Sequence, residues 1–96
     1  MTPLEIQGKI ELYRQALSMV FSKSIADRTV IKYFENDHGV TFWVNRAFST
    51  DKGIRISPTG FKPFSPAEFD VETRNLFNQA KEAELRLSEV KIGKEN

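Results

Sequence analysis

The chain has 96 residues, with fourteen basic and thirteen acidic side chains and no cysteine. This length predicts one domain with a thin core, and the lack of cysteine excludes a disulfide framework and a thiolate metal site. A formal charge of +1 argues against a strong electrostatic attraction of the whole protein surface to nucleic acid or to an anionic membrane. No apolar run approaches the roughly 18 residues that span a bilayer. Residues 1–9 also lack the pattern of a signal peptide. We therefore expect a cytoplasmic protein with no membrane partner.

The first predicted element is an amphipathic helix over residues 3–22. Thr2 and Glu5 have the spacing of a capping box, with a proline at the first helical position between them. Leu12 and Met19 form a second apolar stripe on nearly the opposite side, and a helix that is apolar on two sides usually contacts two partners. The main apolar seam, with spacings of four and three, is Ile6, Ile10, Tyr13, Leu17 and Val20.

Three β-strands are predicted in the middle of the chain, where β-branched and aromatic residues are frequent, over residues 29–36, 40–48 and 54–57. The two breaks between them, residues 36–39 and 50–53, each end in glycine after a polar run. Each break suits a three-residue hairpin loop with glycine in the left-handed conformation.

Loops of this length set the register of both hairpins. They place Phe34 opposite Phe42 and Phe48 opposite Ile56, so the two hairpins carry their apolar residues on the same face. Lys32 is a charged exception on this predicted core face, as is Arg46. The apolar members of the face are Val30, Phe34, Val40, Phe42, Val44, Phe48, Ile54 and Ile56.

A long helix is predicted in the last third of the chain. Ser65 and Glu68 repeat the capping-box spacing, and Gly93 is the predicted end. The helix would span roughly 40 Å, so it is either a core helix or a dimerisation helix that overhangs its own domain. Its seam, again with spacings of four and three, is Phe69, Thr73, Leu76, Ala80, Ala83, Leu87 and Val90.

Together these elements predict an α+β fold: a helix, a three-stranded antiparallel meander and a long helix, with both helices on one face of the sheet. Residues 1–92 form a single compact α-βββ-α domain in this interpretation, and residues 93–96 form a polar, frayed tail. The double-stranded RNA-binding domain has the same order of elements but needs a lysine-rich start to its second helix. The corresponding residues 65–70 are acidic here, so the sequence does not match that family.

The opposite face of the predicted sheet is a candidate binding surface. Tyr33 lies across from Trp43 in the predicted register, with Ile31 nearby and Arg55 at the side. Such a cluster has the composition of a binding hot spot, although the pair would also stabilise a sheet without any partner, and the first helix could cross over to cover it. The candidate partner-binding or dimer residues are Ile31, Tyr33, Trp43, Arg55, Leu12 and Met19.

The sequence carries no pattern typical of catalysis. His38 is the only histidine and belongs to a predicted turn, so it offers neither a metal cluster nor a general base for a nucleophile. The glycines are scattered singly, which excludes a phosphate-binding loop of the usual kinds. We therefore expect no enzymatic activity, no metal site and no cofactor.

These observations predict a small non-enzymatic protein-binding module that acts as a homodimer. It would serve as an adaptor, or as a phage-type or toxin-neutralising inhibitor of a partner protein. The alternative is a single-stranded nucleic-acid-binding protein that grips its ligand by stacking and charge on the aromatic and basic outer face, and a small-ligand binder is a third interpretation. The nucleic-acid residues would be Lys32, Trp43, Arg46, Lys52, Arg55 and Lys62.

Overall fold

A computed structural model describes the backbone of residues 1–95 and the side chains of residues 1–88. Within that part of the chain, three helices and five strands follow one another. They are α1 (Pro3–Val20), α2 (Lys23–Arg28), β1 (Val30–Asn36), β2 (Gly39–Asn45), β3 (Ala47–Thr50), β4 (Gly53–Ile56), β5 (Lys62–Phe64) and α3 (Pro66–Glu95).

The predicted fold class is confirmed, since the chain forms a helix, a three-stranded antiparallel sheet and a long final helix. Helices α1 and α3 pack together over the sheet face that carries Phe42 and Val44, and the core lies between them. Phe69 of α3 lies at the centre of this core. Its ring stacks on Phe42, with centroids 4.3 Å apart, and on Tyr13 of α1, with centroids 4.8 Å apart.

The predicted capping box at Ser65 is complete, whereas that at Thr2 forms in part, because the Glu5 carboxylate accepts from the Thr2 hydroxyl instead of the Thr2 N–H. The Thr2 hydroxyl accepts from the Glu5 N–H at 3.2 Å, and the Ser65 hydroxyl accepts from the Glu68 N–H at the same distance. The Glu68 carboxylate accepts in return from the Ser65 N–H at 3.4 Å. These bonds satisfy donors that the first turn of a helix leaves free, which explains why α1 and α3 begin where the sequence predicts.

The third strand of the sheet is not the predicted one. The sheet order is β1-β2-β5, so β5 takes the third position, while β3 and β4 form a separate two-stranded sheet. The predicted strand over residues 40–48 divides at Arg46, because the Ala47 N–H donates to the buried Thr29 hydroxyl at 3.1 Å and the chain leaves the first sheet there. Pro63 is tolerated in β5 because this strand lies at an edge, where a missing N–H costs no ladder bond.

The register of β1 against β2 differs from the prediction by one residue. Asn36 pairs with Gly39, so two residues form the loop rather than three, and Tyr33 rather than Phe34 lies opposite Phe42. Because side chains alternate along a strand, this slip moves every residue of β1 to the other face. Phe34, predicted to be buried, is therefore 59% exposed, and Lys32 leaves the core face.

The second hairpin shows the same slip. Phe48 pairs with Arg55 instead of Ile56, and Ile56, predicted to be buried, is 39% exposed. The predicted burial of Phe42 and Val44 is correct. The loop glycines also behave as predicted, since Gly39 has a φ of 112° and Gly53 a φ of 116°.

Helix α3 extends beyond the domain that its first half covers. Phe69, Thr73 and Leu76 of the predicted seam are buried, whereas every residue from 81 to 88 is exposed. The molecule is consequently elongated, with extents of 60 × 32 × 18 Å. The helix runs to Glu95 rather than ending near Gly93. The side chains of the predicted tail and of Val90 in the seam lie outside the described residues.

Candidate protein-binding surfaces

The sheet face that points away from α1 and α3 carries an aromatic cluster, which we name the outer sheet face. Trp43 lies at its centre in β2, with Lys32 of β1 and Pro63 of β5 as its cross-strand neighbours. Phe34, two residues after Lys32, shares the face by strand alternation. Phe61 immediately precedes β5 and lies on this face with its ring beneath the Lys32 amine. The outer sheet face therefore comprises Lys32, Phe34, Trp43, Phe61 and Pro63.

The side chains of the outer sheet face contact one another. The rings of Phe34 and Trp43 meet edge to face, with centroids 6.4 Å apart and planes at 83°, an arrangement that the ring quadrupoles favour. The Lys32 Nζ lies 5.1 Å from the centroid of the Phe61 ring, within cation–π distance. Phe34, Phe61, Lys32 and Pro63 are all exposed. The result is an open apolar surface with one cation at its border.

The predicted pair of Tyr33 and Trp43 does not form, because the slip in β1 turns Tyr33 to the helix-facing side. Ile31 follows Tyr33 to that side and packs against the core. Phe34 takes the predicted place of Tyr33 beside Trp43. Arg55 lies in β4, opposite Phe48 in the second sheet, and is not part of the outer sheet face.

A second apolar surface lies between α1 and α3, and we name it the helix groove. It has a volume of about 680 Å³ and is lined by Gly8, Lys9 and Leu12 of α1 and by Asp70, Thr73 and Phe77 of α3. Leu12, a predicted partner-binding residue, is 51% exposed there. Met19, on the same stripe of α1, is also exposed but does not line the groove.

An ion pair joins the two walls of the helix groove. The Lys9 Nζ donates to both carboxylate oxygens of Asp70 at 2.7 Å. An exposed pair of this kind contributes at most about 1 kcal/mol to folding. The relative position of α1 and α3 is therefore set mainly by the core, where Tyr13 of α1 stacks on Phe69 of α3.

The six residues of the nucleic-acid alternative are not brought together. Lys32 and Trp43 are neighbours on the outer sheet face, but Lys62 pairs with Val44 and therefore lies on the helix-facing side. The Arg46 guanidinium lies 4.4 Å from the centre of the Phe21 ring and, like Lys62, lines a cavity on the helix-facing side. The other two basic residues belong to the separate β3–β4 hairpin. The structure thus leaves one cation beside the aromatic cluster.

Tyr13 is the one titratable side chain with a clearly perturbed environment among the described residues. Burial in the core raises the pKa of its phenol above the ordinary value, and the charge of Glu72 acts in the same direction while Arg46 opposes it. Tyr13 therefore stays neutral at physiological pH, and its ring serves as a packing surface for Phe69. Within the described residues, no group of three or more His, Cys, Asp or Glu side chains is placed to hold a metal ion.

Comparisons with protein-family models, curated proteins and solved structures gave no match for this chain. Among the described helices, including the 30-residue α3, none combines the length and apolar character that crossing a bilayer requires. The outer sheet face and the helix groove are therefore the features from which a function is inferred.

Sequence reasoning missed three members of the outer sheet face, which are Phe34, Phe61 and Pro63. Phe34 was assigned to the wrong face by the register. Phe61 and Pro63 lie outside the three predicted strands, because the prolines and the glycine around them argue against a strand. One signal was available: Phe61 and Pro63 alternate with Lys62 and Phe64, and a period of two is typical of a strand.

Proposed function

We propose that this protein is a small non-enzymatic protein-binding module that acts as a homodimer and uses its outer sheet face to bind another protein. The observation that carries the proposal is the aromatic cluster of exposed Phe34, exposed Phe61 and half-buried Trp43 on the sheet face opposite α1 and α3. Exposed contiguous apolar surface of this kind marks interaction sites in soluble domains.

The composition of the outer sheet face favours a protein as the ligand. Aromatic residues are enriched at the centres of protein interfaces, where a few of them supply most of the binding energy. Trp43 is held between Lys32 and Pro63 and against Phe34, so it loses little side-chain freedom on binding. Lys32 at the border favours a partner with an apolar patch and an acidic group beside it. This protein would act on such a partner either as an adaptor that binds it or as an inhibitor that blocks it.

The nucleic-acid alternative receives less support from the geometry. Binding of single strands combines stacking with a basic groove that follows the phosphate backbone. Of the five basic residues named for this alternative, all of them among the described residues, Lys32 is the one beside the aromatic cluster. We therefore expect a fluorescent single-stranded oligonucleotide to show no salt-dependent binding, even at low ionic strength.

We expect Trp43→Ala to abolish capture of the partner from an extract of the cells that produce the protein. Loss of a central aromatic residue costs about 2 kcal/mol or more, which corresponds to roughly a 30-fold loss of affinity. Phe34→Ser should act in the same direction. Quantitative comparison of the captured protein with that on the wild-type bait measures the effect, and circular dichroism checks that each variant is folded.

The matched control is Phe48→Ala, which removes an exposed aromatic side chain from the β3–β4 hairpin. It should leave capture unchanged, because Phe48 is not part of the outer sheet face. Equal capture by wild type and folded Trp43→Ala would contradict the proposal, as would an equal loss in Phe48→Ala.

A further inference from the structure

A small cavity lies where β5 and the end of β2 meet α1 and α3, and we name it the side cavity. It has a volume of about 210 Å³. Its apolar walls are Val44 of β2, Phe64 of β5 and Leu76 of α3, and all three are buried. Since clefts for drug-sized ligands measure about 300–1,000 Å³, the side cavity suits a smaller molecule.

Two cations line the side cavity without a carboxylate partner. The Lys62 Nζ lies 5.4 Å from the centroid of the Phe64 ring, which forms one wall, and Arg46 follows the end of β2. Glu72 of α3 is the one carboxylate in the lining. Within the described residues, no ion pair joins either cation to Glu72. With two positive charges and one negative charge, the lining has a net charge of +1.

A buried phenol completes the polar part of the side cavity. Tyr13 of α1 is 3% exposed and lines the cavity. Its hydroxyl forms no hydrogen bond to another described residue but remains reachable from the cavity. Burial raises the pKa of this phenol, so the hydroxyl keeps its proton at neutral pH and is a hydrogen-bond donor. A buried donor without a protein partner is the kind of group that a ligand satisfies.

The arrangement of these donors suits a carboxylate on an organic body. The Arg46 guanidinium is held 4.4 Å from the centre of the Phe21 ring, and its planar fork matches the two oxygens of a carboxylate. A net charge of +1 balances a monoanion, whereas Glu72 would repel a second negative charge such as that of phosphate. The three buried apolar walls add affinity for a ligand that also has an apolar part.

We infer that the side cavity binds a small organic monocarboxylate. The carboxylate is held by Arg46, Lys62 and the Tyr13 hydroxyl, and the apolar body of the ligand lies against the three buried walls. The site is on the helix-facing side of the sheet, so a ligand there leaves the outer sheet face free. Its binding depends neither on a protein partner nor on dimerisation.

Titration with benzoate and with butanoate, followed through the backbone amide signals in NMR spectra, tests this site. We expect saturable shifts of the signals of Arg46, Lys62 and Glu72, and little change at Lys52 in the loop of the β3–β4 hairpin. Benzamide is the matched control ligand, because it keeps the ring of benzoate but carries no charge. It should bind at least roughly tenfold more weakly than benzoate.

Arg46→Ala should weaken benzoate binding by roughly tenfold or more, because it removes the fork that holds the carboxylate. Arg55→Ala is the matched control variant. It removes an exposed guanidinium from β4, outside the side cavity, and should leave the affinity for benzoate unchanged.

Two further variants keep the shape of the side cavity and change its polarity. Glu72→Gln should strengthen benzoate binding several-fold, because it removes the negative charge of the lining. A variant that merely disturbed the fold would not bind more tightly. Tyr13→Phe keeps the ring that stacks on Phe69, and the loss of its hydroxyl should weaken binding by roughly fivefold.

The absence of saturable shifts with both carboxylates would overturn the inference. Equal affinities for benzoate and benzamide would do the same, because charge would then play no part in binding. A loss in Arg55→Ala as large as that in Arg46→Ala would place the ligand elsewhere. Tighter binding of inorganic phosphate than of either carboxylate would show that the site does not select a monocarboxylate.

Discussion

Phe69→Ala is expected to lower the free energy of unfolding by about 3–5 kcal/mol, the largest effect of any single substitution considered for this protein. Phe69 is fully buried and its ring lies between those of Phe42 and Tyr13. Truncation would remove three aromatic contacts, the third with Phe64 of β5, and leave a cavity that joins α1, α3 and the sheet. Since an 11.0 kDa domain has a thin core, a loss of this size would leave much of the protein unfolded.

Chemical denaturation followed by circular dichroism measures this effect. Val71→Ala on the same helix is the control, because Val71 is half exposed and alanine has the higher helix propensity. It should change the free energy of unfolding by less than about 0.5 kcal/mol. A loss below about 1 kcal/mol in Phe69→Ala would show that the helices do not pack over the sheet as described.

Thr29→Val is expected to lower the free energy of unfolding by about 1–3 kcal/mol, even though valine has nearly the same shape. The Thr29 hydroxyl is buried, donates to the Ile25 carbonyl at 2.8 Å and accepts from the Ala47 N–H at 3.1 Å. The Ile25 carbonyl keeps the backbone bond from the Thr29 N–H. The Ala47 N–H loses its partner, and an unsatisfied buried donor is costly.

Thr73→Val provides the matched comparison. The Thr73 hydroxyl is also buried, but it donates only to the Phe69 carbonyl, which already accepts a helical hydrogen bond. Its replacement should therefore cost less than about 1 kcal/mol. If the two valine variants were equally stable, the bond between Thr29 and Ala47 would not anchor the β3–β4 hairpin.

The elements that local chemistry specifies could be predicted from the sequence. The capping boxes at Thr2 and Ser65 have a fixed spacing, and the helices they start are long and strongly periodic. In β2, the apolar residues Val40, Phe42 and Val44 alternate strictly with other types, so their burial followed from the pattern. Helix α2 was missed because it comprises only six residues.

The register of β1 could not be predicted, because its sequence does not alternate. Ile31 and Tyr33 are apolar residues on one face of the strand, and Val30 and Phe34 are apolar residues on the other face. Either face of the strand can therefore be buried, and the length of the loop decides between them. Glycine at the end of the loop is compatible with both lengths. The actual two-residue loop depends on tertiary packing against Phe42.

The same ambiguity in strand register limited the prediction of the outer sheet face. Trp43 was identified correctly as a residue away from the core, because β2 was assigned correctly. Its neighbours Phe34 and Pro63 were not identified. The face on which Phe34 lies depends on the register of β1, and Pro63 belongs to a strand that its proline makes hard to recognise. Leu12 was identified from the second apolar stripe of α1, but the groove beside it results from the pairing of two helices distant in sequence.

Sedimentation equilibrium at micromolar protein concentration tests the central claim, that this protein works by protein–protein contact as a homodimer. The wild-type chain should sediment as a species of about 22 kDa, twice the 11.0 kDa of one chain. A wild-type protein that sediments only as a single chain of 11.0 kDa would contradict the account.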